Sequence, residues 1–347
     1  MNQQIKYYVT GHTSEGFVNF LSTNLIDIEK IIVLQHPSNR ITSNILKKLS
    51  TLYKKIYPTE IILSAQTNHY IDGLIIKDKS LAIVAEPIVQ SPLEQAEYVD
   101  LRTYFSNEEN LSSVNRAEKE MNNLQNEAYA HFKNGLEIHD DLEELYINEM
   151  DFNKADRIAE IWIDKLFIGL EKKDRKAKVF ERLFGTNTSD GVVNVVEPLI
   201  EPITHRVFIK GRAGTGKSFF MKKLLNECLD YGIDVELYRC SFDPSSIDML
   251  IIRELDYCLF DSTDPHEFFP SRPTDEVVDF YERTVTPGTD EKYEKEIKRL
   301  TKSYKEQMKA GVQKLKQTKP IEQMKVNNWH VSELEIDEII QEIPNLQ

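Results

Sequence analysis

Long apolar runs and cysteines are scarce in this sequence of 347 residues, and the 43 basic residues are fewer than the 57 acidic ones. No apolar stretch is long enough to span a bilayer, and the first residues lack the apolar core of a signal peptide. The three cysteines, Cys228, Cys240 and Cys258, form no C-x-x-C pair, which is typical of buried reduced thiols rather than of a disulfide framework. We therefore expect a cytoplasmic protein without a membrane partner.

The charge balance excludes a further class of function. The formal net charge is −14, which argues against general binding to nucleic acids or anionic membranes. The length favours two domains, because a single hydrophobic core seldom extends over so long a chain.

What the sequence does contain is a phosphate-loop pattern. Residues Gly211 to Ser218 fit G-x-x-x-x-G-K-[ST] at every fixed position, between a strand-like segment and a helix-like one. In such a loop the backbone N–H groups surround phosphate oxygens, and the start of the helix adds its positive dipole end. We predict that Lys217 reaches the β/γ-phosphates and that Ser218 ligates Mg²⁺. The predicted nucleotide-binding residues are Gly211, Arg212, Ala213, Gly214, Thr215, Gly216, Lys217, Ser218 and Phe219.

Carboxylates follow several apolar strands downstream of this loop. Asp261 ends the segment Tyr257–Phe260, as in a Walker B strand, and is predicted to hold Mg²⁺ together with Ser218. Asp243 follows another strand and is a candidate general base, or the first residue of an Asx-Pro turn. Glu267, in the segment Asp264-Pro265-His266-Glu267, is a candidate for positioning water. The predicted catalytic residues are thus Lys217, Asp261, Asp243 and Glu267.

An internal repeat organises the chain. A shift of 176 places Ile71–Ile76 on Ile247–Ile252 with one difference, and a shift of 175 places Thr13–Asn19 on Thr188–Asn194. Strands alternating with helices in both copies predict a parallel sheet covered by helices. The fold class predicted is α/β, with two tandem P-loop NTPase-type domains, each carrying a helical appendage.

The first copy lacks the chemistry of the second. Its segment Gln35–Thr42 falls at the loop position without the outer glycines or the lysine, so that Thr42 alone corresponds to Ser218. Ala85 stands where the second copy has Asp261. Because the carboxylate and the lysine are lost together, we predict one active nucleotide site per chain.

The predicted domains are a degenerate α/β domain over 1–105, a helical linker over 106–180, the active domain over 181–289 and a helical appendage over 290–347. The first helical region is expected to break near Asn134-Gly135 and again near Met150–Asn153. It is acidic and the last region is basic, so the two are either solvated or packed together. Packing would make an intramolecular pseudo-dimer, in which Arg40 or Arg102 is a candidate arginine finger.

Three stretches of the second copy resemble an uncharacterised bacterial family of tandem P-loop ATPase-like proteins from Gram-positive species. The stretches are Phe208–Ser218, Cys240–Asp248 and Phe260–Glu267, and weaker helical resemblance around Glu143–Phe152 extends the match to most of the chain. The family pattern has a phosphate loop in both halves, and this sequence departs from it in the first. The resemblance implies nucleotide binding and ATPase-like activity, and it implies no particular substrate.

Three functions are consistent with these residues. The leading one is Mg²⁺-dependent ATP hydrolysis; ATP is favoured over GTP because no Asn-Lys-x-Asp segment is present to read guanine. The second is a P-loop kinase acting on a small molecule, with Arg272 and Arg283 in a lid. The third is a nucleotide-gated interaction protein that does not hydrolyse ATP.

Overall fold

The structure is a computed structural model that describes residues 3–104, 111–263, 267–327 and 331–342. Within these residues no helix combines the length and apolar character that crossing a bilayer requires. The chain divides into two compact units. Unit 1 comprises Met1–Tyr129, Leu183–Val195 and Gly311–Gln347, and unit 2 comprises Ala130–Arg182 and Val196–Ala310. The domain boundaries predicted from the sequence stay predictions.

The helices and strands follow one another in the same order in both halves of the chain as far as β8 in the first and β16 in the second. The first half contains β1 (Gln4–Tyr8), β2 (Thr10–Thr13), β3 (Gly16–Asn19), α1 (Leu21–Asn24), β4 (Lys30–Gln35), α2 (Asn39–Tyr53), β5 (Thr59–Leu63), β6 (Ile71–Ile76), β7 (Leu81–Ala85), β8 (Ala96–Asp100), α3 (Leu111–Ile147) and α4 (Phe152–Phe167). The second contains β9 (Val179–Arg182), β10 (Gly185–Thr188), β11 (Gly191–Asn194), α5 (Val196–Ile200), β12 (His205–Lys210), α6 (Lys217–Asp230), β13 (Val235–Arg239), β14 (Ile247–Ile252), β15 (Tyr257–Asp261), β16 (Glu276–Asp279), α7 (Phe280–Thr284), α8 (Thr289–Lys292), α9 (Glu294–Lys316), α10 (Thr318–Asn327) and α11 (Glu333–Glu342).

Unit 1 is built on a six-stranded sheet in the order β1-β5-β6-β7-β4-β8. Its central strands β6 and β7 are buried along their length, including Asp72 of β6. Helix α2 packs its apolar stripe, which includes Ile41, Ile45 and Leu49, on this sheet, and α11 adds Ile336 and Ile340 to the same core. The α/β class predicted from the sequence is confirmed at this level.

The prediction of a parallel sheet was wrong for one strand. β6 runs antiparallel to both β5 and β7, whereas β1–β5, β4–β7 and β4–β8 are parallel. The physical reason is the connection between β6 and β7, which is only the four residues Lys77–Ser80. A parallel neighbour needs a crossover of about a dozen residues or more, so this link can only turn the chain back.

Unit 2 contains a sheet of the same topology, in the order β9-β13-β14-β15-β12-β16. Its strand directions repeat those of unit 1, with β14 as the reversed strand. Even the irregularity between Ile62 and Leu63 recurs between Tyr238 and Arg239, 176 residues later. α4 and α6 cover this sheet through Trp162, Phe220 and Leu224.

A smaller sheet in unit 1 combines a hairpin from each half of the chain. Its order is β11-β10-β2-β3, and the two hairpins pair antiparallel at His12 and Asn187. These two residues are 175 positions apart, the same shift that relates the hairpin sequences. Equivalent residues of the two repeats therefore pair with each other.

The long acidic helix differs from its prediction at one of two positions. The break near Met150–Asn153 is confirmed, since α3 ends at Ile147 and α4 begins at Phe152 with Asp151 as its N-cap. The break at Asn134-Gly135 is wrong, because α3 continues through Gly135. Met308 of α9 lies 3.5 Å from the position of a Cβ at Gly135, which is ordinary van der Waals contact, so α3 packs on α9 at this glycine within unit 2. That packing outweighs the cost of about 1 kcal/mol of a helical glycine.

Both large sheets bury a carboxylate that is paired with a cation. In unit 2, Glu236 lies 3.0 Å from Arg182, which is fully buried, and it also accepts hydrogen bonds from Arg253 and Tyr238. Burial alone would raise the pKa of Glu236, but the positive charges of Arg182 and Arg253 lower it to about 2. In unit 1 the equivalent Glu60 pairs with Lys77, whose side chain is 45% exposed.

Because their partners differ in burial, replacing the two glutamates by neutral glutamine should change the free energy of unfolding by different amounts. Glu236→Gln should lower the free energy of unfolding of its unit by about 3–5 kcal/mol, because it removes a buried negative charge that is paired with both Arg182 and Arg253. Glu60→Gln is the matched control and should cost less, since Lys77 can return to water. The Glu236 contribution should decline as the pH falls from 4.5 toward 2, because protonation then removes the charge. Urea titrations measure both; equal costs would contradict the assignment.

Candidate functional site

The glycine loop (Gly211–Ser218) connects the carboxyl end of β12 to the start of α6 in unit 2. Gly214 has φ 71° and Gly216 has φ 86°, conformations that side chains with a Cβ seldom adopt. The Thr215 hydroxyl donates to the carbonyl of Arg212 at 2.8 Å and closes the turn. The strand, loop and helix that the sequence predicted are therefore present.

Lys217 folds back across the loop. Its Nζ donates to the Arg212 carbonyl at 2.7 Å and lies 3.5 Å from Oδ2 of Asp261. The lysine side chain is only 11% exposed. The structure thus brings together the predicted loop lysine and the predicted metal-binding carboxylate.

Sheet register explains why Asp261 lies there. β12 and β15 are parallel neighbours, and Ile209 pairs with Asp261 at their carboxyl ends. In unit 1 the same register position pairs Leu34 with Ala85, so the loss of the carboxylate in the first repeat is confirmed. The other oxygen of Asp261 accepts from the backbone and hydroxyl of Thr263, which fixes its orientation.

Ser218 contacts the next strand along the sheet. Its Oγ accepts the N–H of Ile247 at 2.9 Å, and in unit 1 the Oγ of Ser43 accepts the N–H of Ile71 at the same distance. The strand registers also show that β4 corresponds to β12 at a shift of 175, since Leu34 occupies the position of Ile209, whereas β7 corresponds to β15 at a shift of 176. The alignment of Thr42 with Ser218 was therefore wrong by one residue. The equivalent of the glycine loop is His36–Ser43, and it retains the serine.

The first-half loop (His36–Ser43) is held by its own polar contacts. The backbone N–H of Ser38 donates to Nδ1 of the buried His36, and the Asn39 amide donates to Gln66. Asn39 and Ile41 stand where the glycine loop has Gly214 and Gly216, and Thr42 stands where it has Lys217. Arg40 is exposed, and Arg102 pairs with Asp100. Their role as arginine fingers stays a prediction.

Sequence reasoning missed Asp248, which lies beside Asp261. The antiparallel register of β14 with β15 pairs Met249 with Phe260, so the preceding residue of β14 faces the following residue of β15. Burial raises the pKa of Asp248 to about 7, and the negative charge of Asp261 adds to the effect while Lys217 opposes it. The sequence could not assign Asp248 to the site, because the equivalent Asp72 is present in the first repeat, whose loop has no lysine. Its presence in both repeats indicates a role in the fold.

Asp243 and Glu267 are less directly connected to the loop lysine. Both carboxylate oxygens of Asp243 accept hydrogen bonds from Ser245 and Ser246, which is the turn that the sequence offered as its alternative role. Glu267 is 55% exposed and lies 3.5 Å from Lys210, at the end of β12. Asp264, Pro265 and His266 lie outside the described residues. Phe219 is exposed on the first turn of α6.

Arg212 is bound by groups that sequence reasoning did not identify. Its guanidinium donates to Asp290 at 2.9 Å and lies over the ring of Tyr281. The hydroxyl of Tyr146, on α3, donates to the other oxygen of Asp290. These residues are far from the loop in the sequence and match no motif, so only the fold shows their proximity.

Helix α3 also contacts the loop directly. The N–H of Gly214 donates to Oε1 of Glu143 at 3.2 Å. A Cβ at Gly214 would lie 2.5 Å from the Glu143 carbonyl oxygen, so the loop and the helix backbone are in close contact. The absence of a side chain at Gly214 is therefore required by the helix as well as by the turn.

Comparisons of this chain with protein-family models, with curated proteins and with solved structures find no match. The resemblance to a tandem ATPase-like family therefore stays a prediction. Function has to be inferred from the residues of the site.

The close approach at Gly214 leads to a stability prediction. Gly214→Ala should lower the free energy of unfolding of unit 2 by more than the roughly 1–2 kcal/mol of a left-handed conformation, because the new methyl group must also displace α3. Gly288→Ala is the control, since its φ of 88° is similar and nothing lies within 4 Å of its Cβ position. Thermal unfolding compares the two; equal losses would show that α3 does not press on the loop.

Proposed function

We propose that the second half of the chain is a P-loop domain that binds ATP with Mg²⁺ and hydrolyses it at a single site. The observation that carries this proposal is the glycine loop between β12 and α6, with Lys217 and Asp261 3.5 Å apart at the carboxyl edge of the sheet. Ligands of open α/β sheets bind at this edge. A compact cation, loop amides and a helix N-terminus are the groups that bind a polyphosphate.

Each group has a role in this proposal. The N–H groups of the glycine loop and the start of α6 bind the phosphate oxygens. Lys217 exchanges the Arg212 carbonyl for the β/γ-phosphates, where its charge stabilises the negative charge of phosphoryl transfer. The low exposure of Lys217 strengthens this electrostatic effect, because little water screens it.

The residues present also fit Mg²⁺. The hydroxyl of Ser218 and the carboxylate of Asp261 are oxygen donors, which this ion prefers, and Asp261 keeps 22% of its side chain exposed. These two residues would hold the ion, which neutralises charge on the phosphate oxygens.

We further propose that the two halves are copies of one P-loop-type domain and that only the second is active. The identical strand order of the two large sheets and the repeated serine contact to β6 and β14 support this view. The first-half loop lacks the lysine and both inner glycines. We propose that the first copy serves as a scaffold, paired with the second as an intramolecular pseudo-dimer.

The contacts in unit 2 argue against one alternative function, the kinase, and favour the other, the nucleotide-gated protein. A kinase lid would need mobile arginines, but Arg272 donates to the carbonyls of Glu201 and Ile203. A nucleotide-gated protein without hydrolysis is the second candidate. This candidate is favoured because both carboxylate oxygens of Asp243, the candidate general base, already accept hydrogen bonds from the hydroxyls of Ser245 and Ser246.

Substitution of the loop lysine tests the proposal. Lys217→Ala should weaken ATP binding by roughly 10- to 100-fold, as expected for the loss of a charged hydrogen bond. Turnover should fall by at least about 100-fold if the lysine acts on the transition state. Calorimetry and phosphate release measure the two effects. Lys222→Ala, at an exposed position of the same helix, is the control and should change neither.

The outcomes separate the candidates. Lysine-dependent binding with steady phosphate release supports hydrolysis, and lysine-dependent binding without release supports the nucleotide-gated alternative. Binding that is unchanged in Lys217→Ala would refute the site itself.

A further inference from the structure

The positive groups of the glycine loop already have carboxylate partners. The Gly214 N–H binds Glu143, the Arg212 guanidinium binds Asp290, and the Lys217 amine lies beside Asp261. A carboxylate and a phosphate are both anionic oxygen acceptors, and loop amides bind either one. Two of these carboxylates lie on helices that belong neither to the glycine loop nor to the sheet: Glu143 on α3 and Asp290 on α8.

Glu143 is held firmly in this position. Its backbone packs on Gly214, as the 2.5 Å approach of a Cβ to the Glu143 carbonyl shows. The same Oε1 that accepts from Gly214 lies 3.8 Å from Nδ1 of His139, one turn earlier on α3. Tyr146, on the next turn, binds the carboxylate that holds Arg212. One helix therefore fixes both contacts to the loop.

The repeat supplies an independent observation. The shift of 176 relates Gly135 to Gly311 and places Lys319 at the position of Glu143. In unit 1 this lysine pairs with Asp190. The acidic residue thus occurs in unit 2, whose loop has the glycines and the lysine, and the basic residue occurs in unit 1, whose loop has neither.

We propose that Glu143 is a built-in competitor of the nucleotide, which occupies a loop amide in place of a phosphate oxygen and makes the α3-bound form autoinhibited. This inference rests on the proposed nucleotide site. A triphosphate that approaches the loop meets the like charge of Glu143 and must displace it from Gly214. ATP binding is therefore coupled to release of this part of α3 from the loop, and anything that draws α3 away increases the affinity for ATP.

The test compares two neighbouring glutamates of α3. Glu143→Gln removes the charge with little change in shape, and Glu144→Gln does the same at an exposed position that makes no contact with the loop among the described residues. Calorimetry with Mg-ATP and with inorganic pyrophosphate on the full chain should show roughly tenfold tighter binding for Glu143→Gln, the effect of one charged hydrogen bond. Glu144→Gln should bind as the wild type does.

The result can separate this inference from the proposed function. If the wild type binds ATP in a Lys217-dependent manner and Glu143→Gln binds equally or more weakly, autoinhibition is refuted and the site stands. If neither protein binds ATP or pyrophosphate, both are refuted. Hydrogen exchange gives a second readout: ATP should reduce the protection of residues 141–147 in the wild type, and increased protection there would overturn the proposal.

Discussion

The parallel pairing of β12 with β15 is the constraint on which the candidate site depends. It places the end of one strand, where the glycine loop begins, beside the end of the other, where Asp261 lies. Since both strands are buried along the sheet, this register cannot slip without moving their apolar side chains out of the core. The position of Asp261 beside the start of the glycine loop is therefore set by the fold, and the loop places Lys217 next to it.

The same topology occurs twice, and the two copies separate the needs of the fold from those of the site. The buried glutamates Glu60 and Glu236, the aspartates Asp72 and Asp248 and the serines Ser43 and Ser218 occur in both copies. The glycines, Lys217 and Asp261 occur in one. What is common to both serves the framework, with Ser218 the one shared residue that we also propose as a Mg²⁺ ligand. We propose that what differs serves phosphate binding. Glu143 belongs to the second class, although it lies on a helix outside the sheet.

Much of the framework could be predicted from the sequence, because strands such as β4 and β7 are continuous apolar runs and the glycine loop has a strict pattern. The direction of β6 was not predicted, since it depends on the length of a connection rather than on apolar content. Helix α3 passes through Gly135 because packing outweighs propensity. The contacts of Glu143 and Asp290 with the loop join positions about 70 residues or more apart, and no local pattern encodes them.

The central claim is one functional phosphate site per chain. The most direct measurement is the stoichiometry of binding of a non-hydrolysable ATP analogue with Mg²⁺ to the full chain, by calorimetry at protein concentrations well above the dissociation constant. The account predicts one nucleotide per chain, because the first-half loop lacks the lysine and the glycines. Two nucleotides per chain, or none, would contradict it.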